Sequence, residues 1–165
     1  MALTKEELIG VLRNEVRILQ HLCTKVTPEA QNYRPTPKQR STMELLRYLT
    51  VMGPALVPAC QTGKFDEALW GAKSAEAEAM DFDGVVKSLA SQADFYATTL
   101  GAMSEADFGN TVELFGQKGS TGTLLVNMVV CGHAAYRTQL FLYLKSCGRD
   151  ELNTYNLWGG VDGSM

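Results

Sequence analysis

The fold is decided by residues Ser120 to Gly148, STGTLLVNMVVCGHAAYRTQLFLYLKSCG, the longest apolar run of the chain. This run predicts one long helix, because both of its ends carry residues that favour helix termini. Ser120 or Thr121 offers an N-cap hydroxyl at the start. Lys145 lies in the last turn, where a cation suits the helix dipole, and Gly148 suits the left-handed conformation that follows many helices.

The apolar residues of this run do not keep to one face of the helix. They form two stripes, Val129, Gly132, Tyr136, Leu140 and Tyr143 on one and Val126, Val130, His133, Phe141 and Leu144 on the other. A helix that is apolar on several sides is typical of a protein interior, so we expect the other helices to surround this one. Buried polar groups need partners, and the helix carries several: His133, Tyr136, Arg137, Gln139 and Tyr143. A functional site is expected here first.

Composition and charge limit the classes of function. The chain has 165 residues, the size of one domain with its own core, so a single domain over residues 1–165 is expected. The net charge of −3 and the scattered Lys and Arg residues offer no basic face for nucleic acid. No apolar run is long enough to cross a membrane, and Met1 to Glu7 lacks the segments of a signal peptide. These features predict a cytoplasmic protein that binds neither nucleic acid nor membrane.

Few residues of the chain suit a metal or a nucleophilic reaction. No GxSxG, P-loop or GxGxxG pattern occurs in the sequence. His21 shares the polar side of the first helical pattern with Glu15, and both are interpreted as surface groups. His133 is then left without a second imidazole, so we interpret it as a hydrogen-bonded core residue. The cysteines stand far apart without a CxxC pair and are interpreted as reduced packing thiols: Cys23, Cys60, Cys131 and Cys147.

Two further long helices are marked by capping boxes. Thr4 and Glu7 form the first box, and apolar residues follow at helical intervals, which predicts a helix over about Lys5 to Lys25. Ser41 and Glu44 form the second box, before an apolar pattern whose internal prolines predict a kink. The proline-rich loop between these helices has room for one helical turn.

The remaining segments complete a four-helix pattern. A short helix over residues 65–80 is expected on the outside, and Asp81 or Asp83 caps a third long helix. Residues 111–115 favour extended backbone, and the tail 153–165 is expected to fold back onto the bundle. Four long helices without repeats or long alternating strands predict an all-α four-helix bundle.

Two segments resemble motifs of the DinB/YfiT-like proteins. STMELLRYL, residues 41–49, is similar to the family's second-helix motif, where a metal-binding His occupies the position of Tyr48. GHAAYRTQLFLYLKSCG, residues 132–148, looks like the last-helix motif, where two further His occupy the positions of Gly132 and Tyr136. The other motif positions match without a gap: Arg137, Gln139, Leu140, Tyr143, Leu144, Lys145 and Gly148. The loop NYRPTPKQR and the segment VELFGQKGSTGTLL also look like family features, so the resemblance spans the chain.

The resemblance implies an up-down-down-up four-helix bundle, often dimeric, in which three His bind a divalent metal such as zinc or nickel. Some relatives are thiol-dependent S-transferases or isomerases that use glutathione, mycothiol or bacillithiol. Here the three ligand positions carry Tyr48, Gly132 and Tyr136, and His133 lies about 100° of helix rotation from the nearest one. A phenol with its ordinary pKa of about 10 is a poor zinc ligand at neutral pH, and glycine offers no ligand.

We therefore expect the family pocket to survive as a polar core without a metal. The missing side chain at Gly132 is expected to leave room for the two tyrosine rings. An unknown small molecule is expected to bind between Tyr48, His133, Tyr136 and Arg137, in a binding or stress-associated accessory protein. The first alternative is a metal- or thiol-dependent transferase or hydrolase. It would use zinc or nickel held by other residues, or Tyr and Arg side chains that polarise a small substrate. The second alternative is a structural homodimer.

A two-fold homodimer is the first prediction. The first and third long helices carry apolar residues outside their core stripe, Val11, Ile18 and Phe95, and such residues favour contact between copies. Light scattering at micromolar concentration should therefore give twice the 18.1 kDa mass of one chain. The mass of a single chain there and at higher concentration would contradict the dimer.

Overall fold

The structure is a computed structural model, and it describes residues 3–163 of the chain. Residues 1–2 and 164–165 lie outside this range. They belong to the stretch Met1 to Glu7 and to the tail 153–165 of the sequence analysis. Seven α-helices lie within the range: α1 (Lys5–Cys23), α2 (Thr42–Thr62), α3 (Glu67–Glu78), α4 (Phe82–Gly101), α5 (Glu105–Gly109), α6 (Thr121–Leu125) and α7 (Cys131–Ser146). The other regular elements are a 3-10 turn (Glu29–Asn32), two π-helical turns (Val126–Val130 and Tyr155–Gly159) and an antiparallel hairpin of β1 (Thr111–Leu114) and β2 (Gln117–Ser120). None of the described helices is long and apolar enough to pass through a bilayer.

The predicted helix starts are confirmed by hydrogen bonds between side chains and backbone. Both bonds of each predicted capping box are present at α1 and α2, including a 2.6 Å bond that the Ser41 N–H donates to the Glu44 carboxylate. Asp81 rather than Asp83 caps α4, and it accepts a 2.8 Å bond from the Gly84 N–H. Each of these helices therefore begins at the residue that its local sequence predicts.

The four long helices form a ring in which α1 and α2 each pack against α4 and α7. Lys5 Nζ, at the start of α1, donates to the Met103 carbonyl just after α4 at 2.7 Å. Gln20 Nε2, near the end of α1, donates to the Val86 carbonyl near the start of α4 at 3.0 Å. These contacts make α1 and α4 antiparallel.

α2 runs parallel to α4. Gln92 of α4 donates to the Leu49 carbonyl of α2, and one turn further on the Tyr96 hydroxyl lies against Gly53. A side chain at Gly53 would collide with that hydroxyl, because an added Cβ would stand 1.8 Å from its oxygen. The glycine therefore allows α2 and α4 to approach closely at this level.

Two prolines lie inside α2, and the helix nevertheless continues to Thr62. Pro54 has no N–H, so the carbonyl of Thr50 lacks the donor that an α-helix normally provides one turn later. The Gln92 amide fills this gap, with Nε2 2.8 Å from the Leu49 carbonyl oxygen and 3.3 Å from that of Thr50. A side chain of α4 thus supplies the donor that the proline removes.

The predicted central helix is one continuous run with a π-helical turn at Val126–Val130 between α6 and α7. The Tyr143 hydroxyl, near the end of α7, donates to the Arg40 carbonyl just before α2 at 3.0 Å, so α7 and α2 are antiparallel. The directions of the four long helices thus follow the up-down-down-up order that the resemblance implies. The expectation that other helices surround this run is wrong, since one side of it is exposed to solvent and includes Cys131 and Leu142. In a ring of four helices, every helix keeps an outward face.

The tail folds back onto α1 as predicted, through its π-helical turn Tyr155–Gly159 and as far as the structure describes it. Arg17 of α1 donates to two carbonyls of the tail, at 2.8 and 3.1 Å. Gly160 lies against Ile18, which is 1% exposed and is therefore unavailable for the predicted dimer contact. Val11 remains 39% exposed, and the dimer stays a prediction.

The interpretation of Glu15 and His21 as surface groups is wrong. Glu15 is buried against Arg137 of α7, and His21 is half-buried against Asn156 and Asp162 of the tail. The partners lie 122 and 135 residues away in the chain, so the local sequence around Glu15 and His21 carries no sign of them.

The sequence predicts only the first strand of the hairpin. Residues 111–114 are extended as expected, but the predicted turn-rich segment after them contains a second strand, β2. The sequence QKGS has little strand propensity, and it is extended because it pairs with β1, with Thr111 opposite Ser120. The hairpin lies directly before α6 and close to the cleft described next.

Candidate functional site

A cleft of about 400 Å³ opens between α2, α3, α7 and the hairpin. Its walls are mostly aromatic and apolar, and we call it the aromatic cleft. The residues that line it include Tyr48, Met52, Phe65, Trp70, Phe115, Met128, Gly132 and Tyr136. The cleft therefore contains all three positions at which the resemblance places metal ligands.

Five aromatic rings follow one another along the aromatic cleft, and we call them the aromatic row. Tyr136 contacts Tyr48 edge to face with ring centroids 5.0 Å apart, and Tyr48 contacts Trp70 at 5.9 Å. Phe65 continues the row, 5.5 Å from Trp70 and 5.2 Å from Phe115. These separations are typical of stabilising aromatic pairs, so the rings form a connected wall.

Phe115 completes the row from the tip of the hairpin, in a backbone conformation that phenylalanine rarely adopts. Its φ is +51° and the φ of Gly116 is +75°, as in the tight turns that favour Asn-Gly. A bulky residue at positive φ is an outlier that costs free energy and calls for an explanation. The side chain is also 61% exposed, so burial in the core does not explain its presence.

The Tyr48 phenol is neutral at physiological pH. Burial and, next, the neighbouring Tyr136 raise the pKa of Tyr48 to about 12. A neutral hydroxyl can donate or accept a hydrogen bond, but it does not supply the anionic oxygen that a metal prefers.

Gly132 makes room for Met52 rather than for the tyrosine rings. A Cβ added to Gly132 would stand 2.7 Å from Sδ and 3.1 Å from Cε of Met52, which are its nearest contacts outside its own helix. The expectation that Tyr48 and Tyr136 use the space is therefore wrong. The thioether of α2 fills it, because a methionine side chain adapts to irregular gaps.

A second, polar cleft of about 490 Å³ adjoins the aromatic cleft and shares Tyr48 and Trp70 with it. Arg40 lies at this junction, with its guanidinium carbon 4.1 Å from the centroid of the Tyr48 ring. Glu44 and Arg47 also line the polar cleft. Apolar and charged walls thus meet at the Tyr48 ring.

His133 faces the bundle interior and lies outside both clefts. It is 1% exposed, and its Nε2 lies 2.7 Å from the Tyr96 hydroxyl, which donates to Gln92 Oε1 at 3.0 Å. Because that hydroxyl has one proton and gives it to the amide oxygen, Nε2 of His133 carries the hydrogen of its own bond. Burial, and next the charge of Arg137, lower the pKa of His133 to about 4, so the ring is neutral.

Arg137 is also buried, and it faces α1 and the tail. Its Nε lies 2.8 Å from Glu15 Oε2, and its Nη2 donates to Glu15 Oε1 at 3.2 Å. Nη1 donates to the Leu157 carbonyl, and the Trp158 ring covers the guanidinium with its centroid 5.3 Å away. Burial raises the pKa of Glu15, while Arg137 acts in the opposite direction. The guanidinium is thus engaged by protein groups on several sides.

The five candidate residues do not share one cavity, which corrects the expected pocket. Tyr48, Gly132 and Tyr136 line the aromatic cleft, whereas His133 and Arg137 point into the bundle. The reason is the helical period, because residues one position apart in α7 differ by about 100° in direction.

Sequence reasoning missed Phe65, Trp70 and Phe115 of the aromatic row and Arg40 at its end. Phe115 and Arg40 belong to segments already identified by the resemblance, VELFGQKGSTGTLL and NYRPTPKQR, and that signal pointed to them. Trp70 lies on α3, and the expectation of a short helix on the outside gave no sign that its ring contacts Tyr48 of α2. Only the tertiary structure brings these elements together.

The sequence matches no family model and none of the curated proteins. Among solved structures, it is similar to the crystal structure of a DinB-like protein, YjoA, from Bacillus subtilis. The TM-score is 0.67 at 17% sequence identity, and the match covers 90% of this chain and 96% of that chain. The fold of this chain is DinB-like. An identity of this size shows the fold alone.

The residues at the expected ligand positions do not fit a divalent metal. Tyr48 offers a phenol whose pKa is raised, and Gly132 offers no side-chain donor. Within residues 3–163, no group of three or more His, Cys, Asp or Glu side chains is arranged to hold a metal ion. Zinc and nickel favour imidazole and thiolate donors, which the aromatic cleft does not supply.

Replacing His133 by Ala is expected to lower the free energy of unfolding by about 1–3 kcal/mol, since the buried Tyr96 hydroxyl loses the hydrogen bond that it accepts and keeps only its bond to Gln92. Urea unfolding at neutral pH measures this loss. Unchanged stability together with the loss of a bound small molecule would contradict the core role and favour a site role for His133.

The same histidine should make the stability depend on pH. The pKa is about 4 in the folded protein and 6.5 ordinarily, so between these values only the unfolded chain binds the proton. Stability should therefore fall as the pH falls from 6.5 to 4, by about 3 kcal/mol for this group. The test compares two proteins that both carry His21→Asn, which removes the other histidine. The protein that also carries His133→Gln should lack this part of the loss. Equal losses in the two proteins would rule out a buried neutral His133.

Proposed function

We propose that this protein binds a small, largely aromatic molecule in the aromatic cleft and that binding does not require a divalent metal. The observation that carries the proposal is the aromatic row, two of whose rings, Tyr48 and Tyr136, occupy positions where the resemblance implies imidazole ligands. Ring faces and edges recognise other planar apolar groups by burial and by the electrostatics of the ring.

The size and chemistry of the cleft support this proposal. Its volume of about 400 Å³ lies within the range of about 300–1,000 Å³ that is usual for sites of small molecules. Such sites have mainly apolar and aromatic walls with few polar groups, and here Tyr48, Tyr136 and Gln117 are among the polar residues of the wall. The π-helical turn that carries Met128 adjoins the cleft, and π-helical turns occur often at functional sites.

The strained turn also supports a site at this place. Asn-Gly would suit the hairpin turn better than Phe115-Gly116, and an exposed Phe adds little to the core. Strained residues persist where the surrounding structure and the function retain them. In this proposal the Phe115 ring is retained because it covers the bound molecule.

The rival function is a transferase or hydrolase that depends on a metal or a thiol. A metal-dependent reaction needs a donor set, and the neutral phenol of Tyr48 together with Gly132 weighs against one in the aromatic cleft. The proposal of a binding protein therefore rests on what the cleft offers, which is aromatic surface.

Binding is tested with the neutral fluorescent probe phenylnaphthylamine, whose emission rises in apolar surroundings. The wild-type protein should bind it with a stoichiometry of one, and Phe115→Asn should weaken binding by about tenfold because one wall is lost. The same change should raise the free energy of unfolding by about 1 kcal/mol, since Asn tolerates positive φ. Urea unfolding checks the second effect.

Trp158→Asn is the matched control, because it removes an aromatic ring that is 67% exposed and does not line the aromatic cleft. The control should keep the affinity for the probe. Absence of probe binding by the wild type, or equal affinity in Phe115→Asn, would refute the proposed site.

The absence of a metal requirement is tested by calorimetry with zinc and nickel. The wild-type protein should show no stoichiometric site, whereas Tyr48→His, Gly132→His and Tyr136→His together should create one. Positions 132 and 136 are one helical turn apart, and the rings at 48 and 136 lie 5.0 Å apart, which suits imidazoles around one ion.

A second version of the triple variant carries Met52→Ala, since the new side chain at position 132 meets the Met52 thioether. Circular dichroism and unfolding show which version is folded. Tight binding by the wild type, or no binding by a folded version, would contradict the assignment of these three positions.

A further inference from the structure

We propose that the molecule bound in the aromatic cleft is an aromatic anion, such as an aromatic carboxylate or sulfonate, and that Arg40 receives its negative group. This inference rests on the proposed function and adds the charge of the ligand to it. It is carried by the position of Arg40 at the junction of the two clefts.

Arg40 is held in place although its side chain lies at the surface. Its carbonyl accepts a 3.0 Å hydrogen bond from the Tyr143 hydroxyl, and that hydroxyl is itself bonded by the Gln139 amide. Its guanidinium lies 4.1 Å from the centroid of the Tyr48 ring, where a cation interacts favourably with the ring electrons. The backbone anchor and the ring together direct the cation to the end of the aromatic row.

The other charged residues of the polar cleft are largely engaged by the protein. Glu44 accepts two hydrogen bonds from Arg34, at 2.9 and 3.0 Å, and a further one from the Ser41 N–H. Arg47 donates to the Met80 carbonyl at 3.2 and 2.6 Å. The charge of Glu44 is therefore paired with that of Arg34, and the guanidinium of Arg47 is hydrogen-bonded to the backbone of Met80.

Arg40 differs from its neighbours in this respect. Among residues 3–163, no carboxylate lies within salt-bridge distance of its guanidinium, and no protein group accepts a hydrogen bond from it. Its planar donors are free to bind a carboxylate or sulfonate in the two-bond geometry that arginine favours. Glu78 also lines the polar cleft, and its carboxylate repels an anion. The negative group of the ligand is therefore expected beside Arg40 and not beside Glu78.

The connection between the clefts determines the shape of the ligand. Tyr48 and Trp70 line both of them, so a ring system that lies along the aromatic row ends at the polar cleft. A negative group attached directly to the ring system then comes next to the guanidinium. A neutral aromatic molecule would fill the same wall and leave Arg40 in water.

The test compares two probes that share one ring system, neutral phenylnaphthylamine and anilinonaphthalene sulfonate. At low ionic strength, the wild-type protein should bind the sulfonate about tenfold more tightly than the neutral probe, and added salt should reduce the difference. Arg40→Gln should abolish the preference for the sulfonate, so that the two probes bind this variant with equal affinity. Arg13→Gln is the matched control, since Arg13 is exposed on α1 and lines neither cleft.

The outcomes separate this inference from the proposed function. If both probes bind equally, or if the preference survives in Arg40→Gln, the cleft binds aromatic molecules but the anion site is refuted. If the preference is lost in Arg13→Gln as well, it reflects net charge and the anion site is again refuted. If neither probe binds the wild-type protein, the proposed function itself fails and the inference fails with it.

Discussion

The missing backbone donor at Pro54 is the constraint on which much of the interior depends. A helix of this length cannot leave the carbonyl of Thr50 without a partner in the core, because an unpaired buried carbonyl costs free energy comparable to a lost hydrogen bond. Gln92 of α4 supplies the donor, and its amide oxygen is thereby turned towards the Tyr96 hydroxyl. That hydroxyl in turn bonds His133 of α7. One proline in α2 therefore fixes the polar side chains of two other long helices.

The same chain of bonds explains why His133 is a poor candidate for chemistry. Its Nε2 hydrogen is committed to Tyr96, and burial keeps the ring neutral, with a pKa of about 4. Nδ1 has no hydrogen-bond partner in the described part of the protein. A general base must reach a substrate proton, and a ring that is 1% exposed and lies outside both clefts does not. The bundle uses this histidine to join α7 to α4.

The helices were predictable because their signals are local. Capping boxes, apolar spacing and the aspartate before α4 each act within a few residues, and each is present in the structure. Glu15 was not predictable in the same way, because what makes it a core residue is Arg137, which lies on another helix. β2 likewise depends on its partner strand rather than on its own propensity. Sequence reasoning fails here where a residue's state is set by a distant partner.

The candidate site shows the same division on a single helix. The gapless motif register puts Gly132 and Tyr136 on one face of α7 and His133 and Arg137 on the next, and the two faces meet different surroundings. One face borders the aromatic cleft, where Tyr136 contacts Tyr48 of α2 and the aromatic row continues from Tyr48 to α3 and the hairpin. The other face holds the hydrogen bonds and the ion pair that join α7 to α4 and α1. Because the interior contacts hold the backbone of α7, the residues on the cleft face can vary without loss of the contacts that join α7 to α4 and α1. The DinB-like fold of this chain therefore does not determine the chemistry of its cleft, which depends on the side chains that line it.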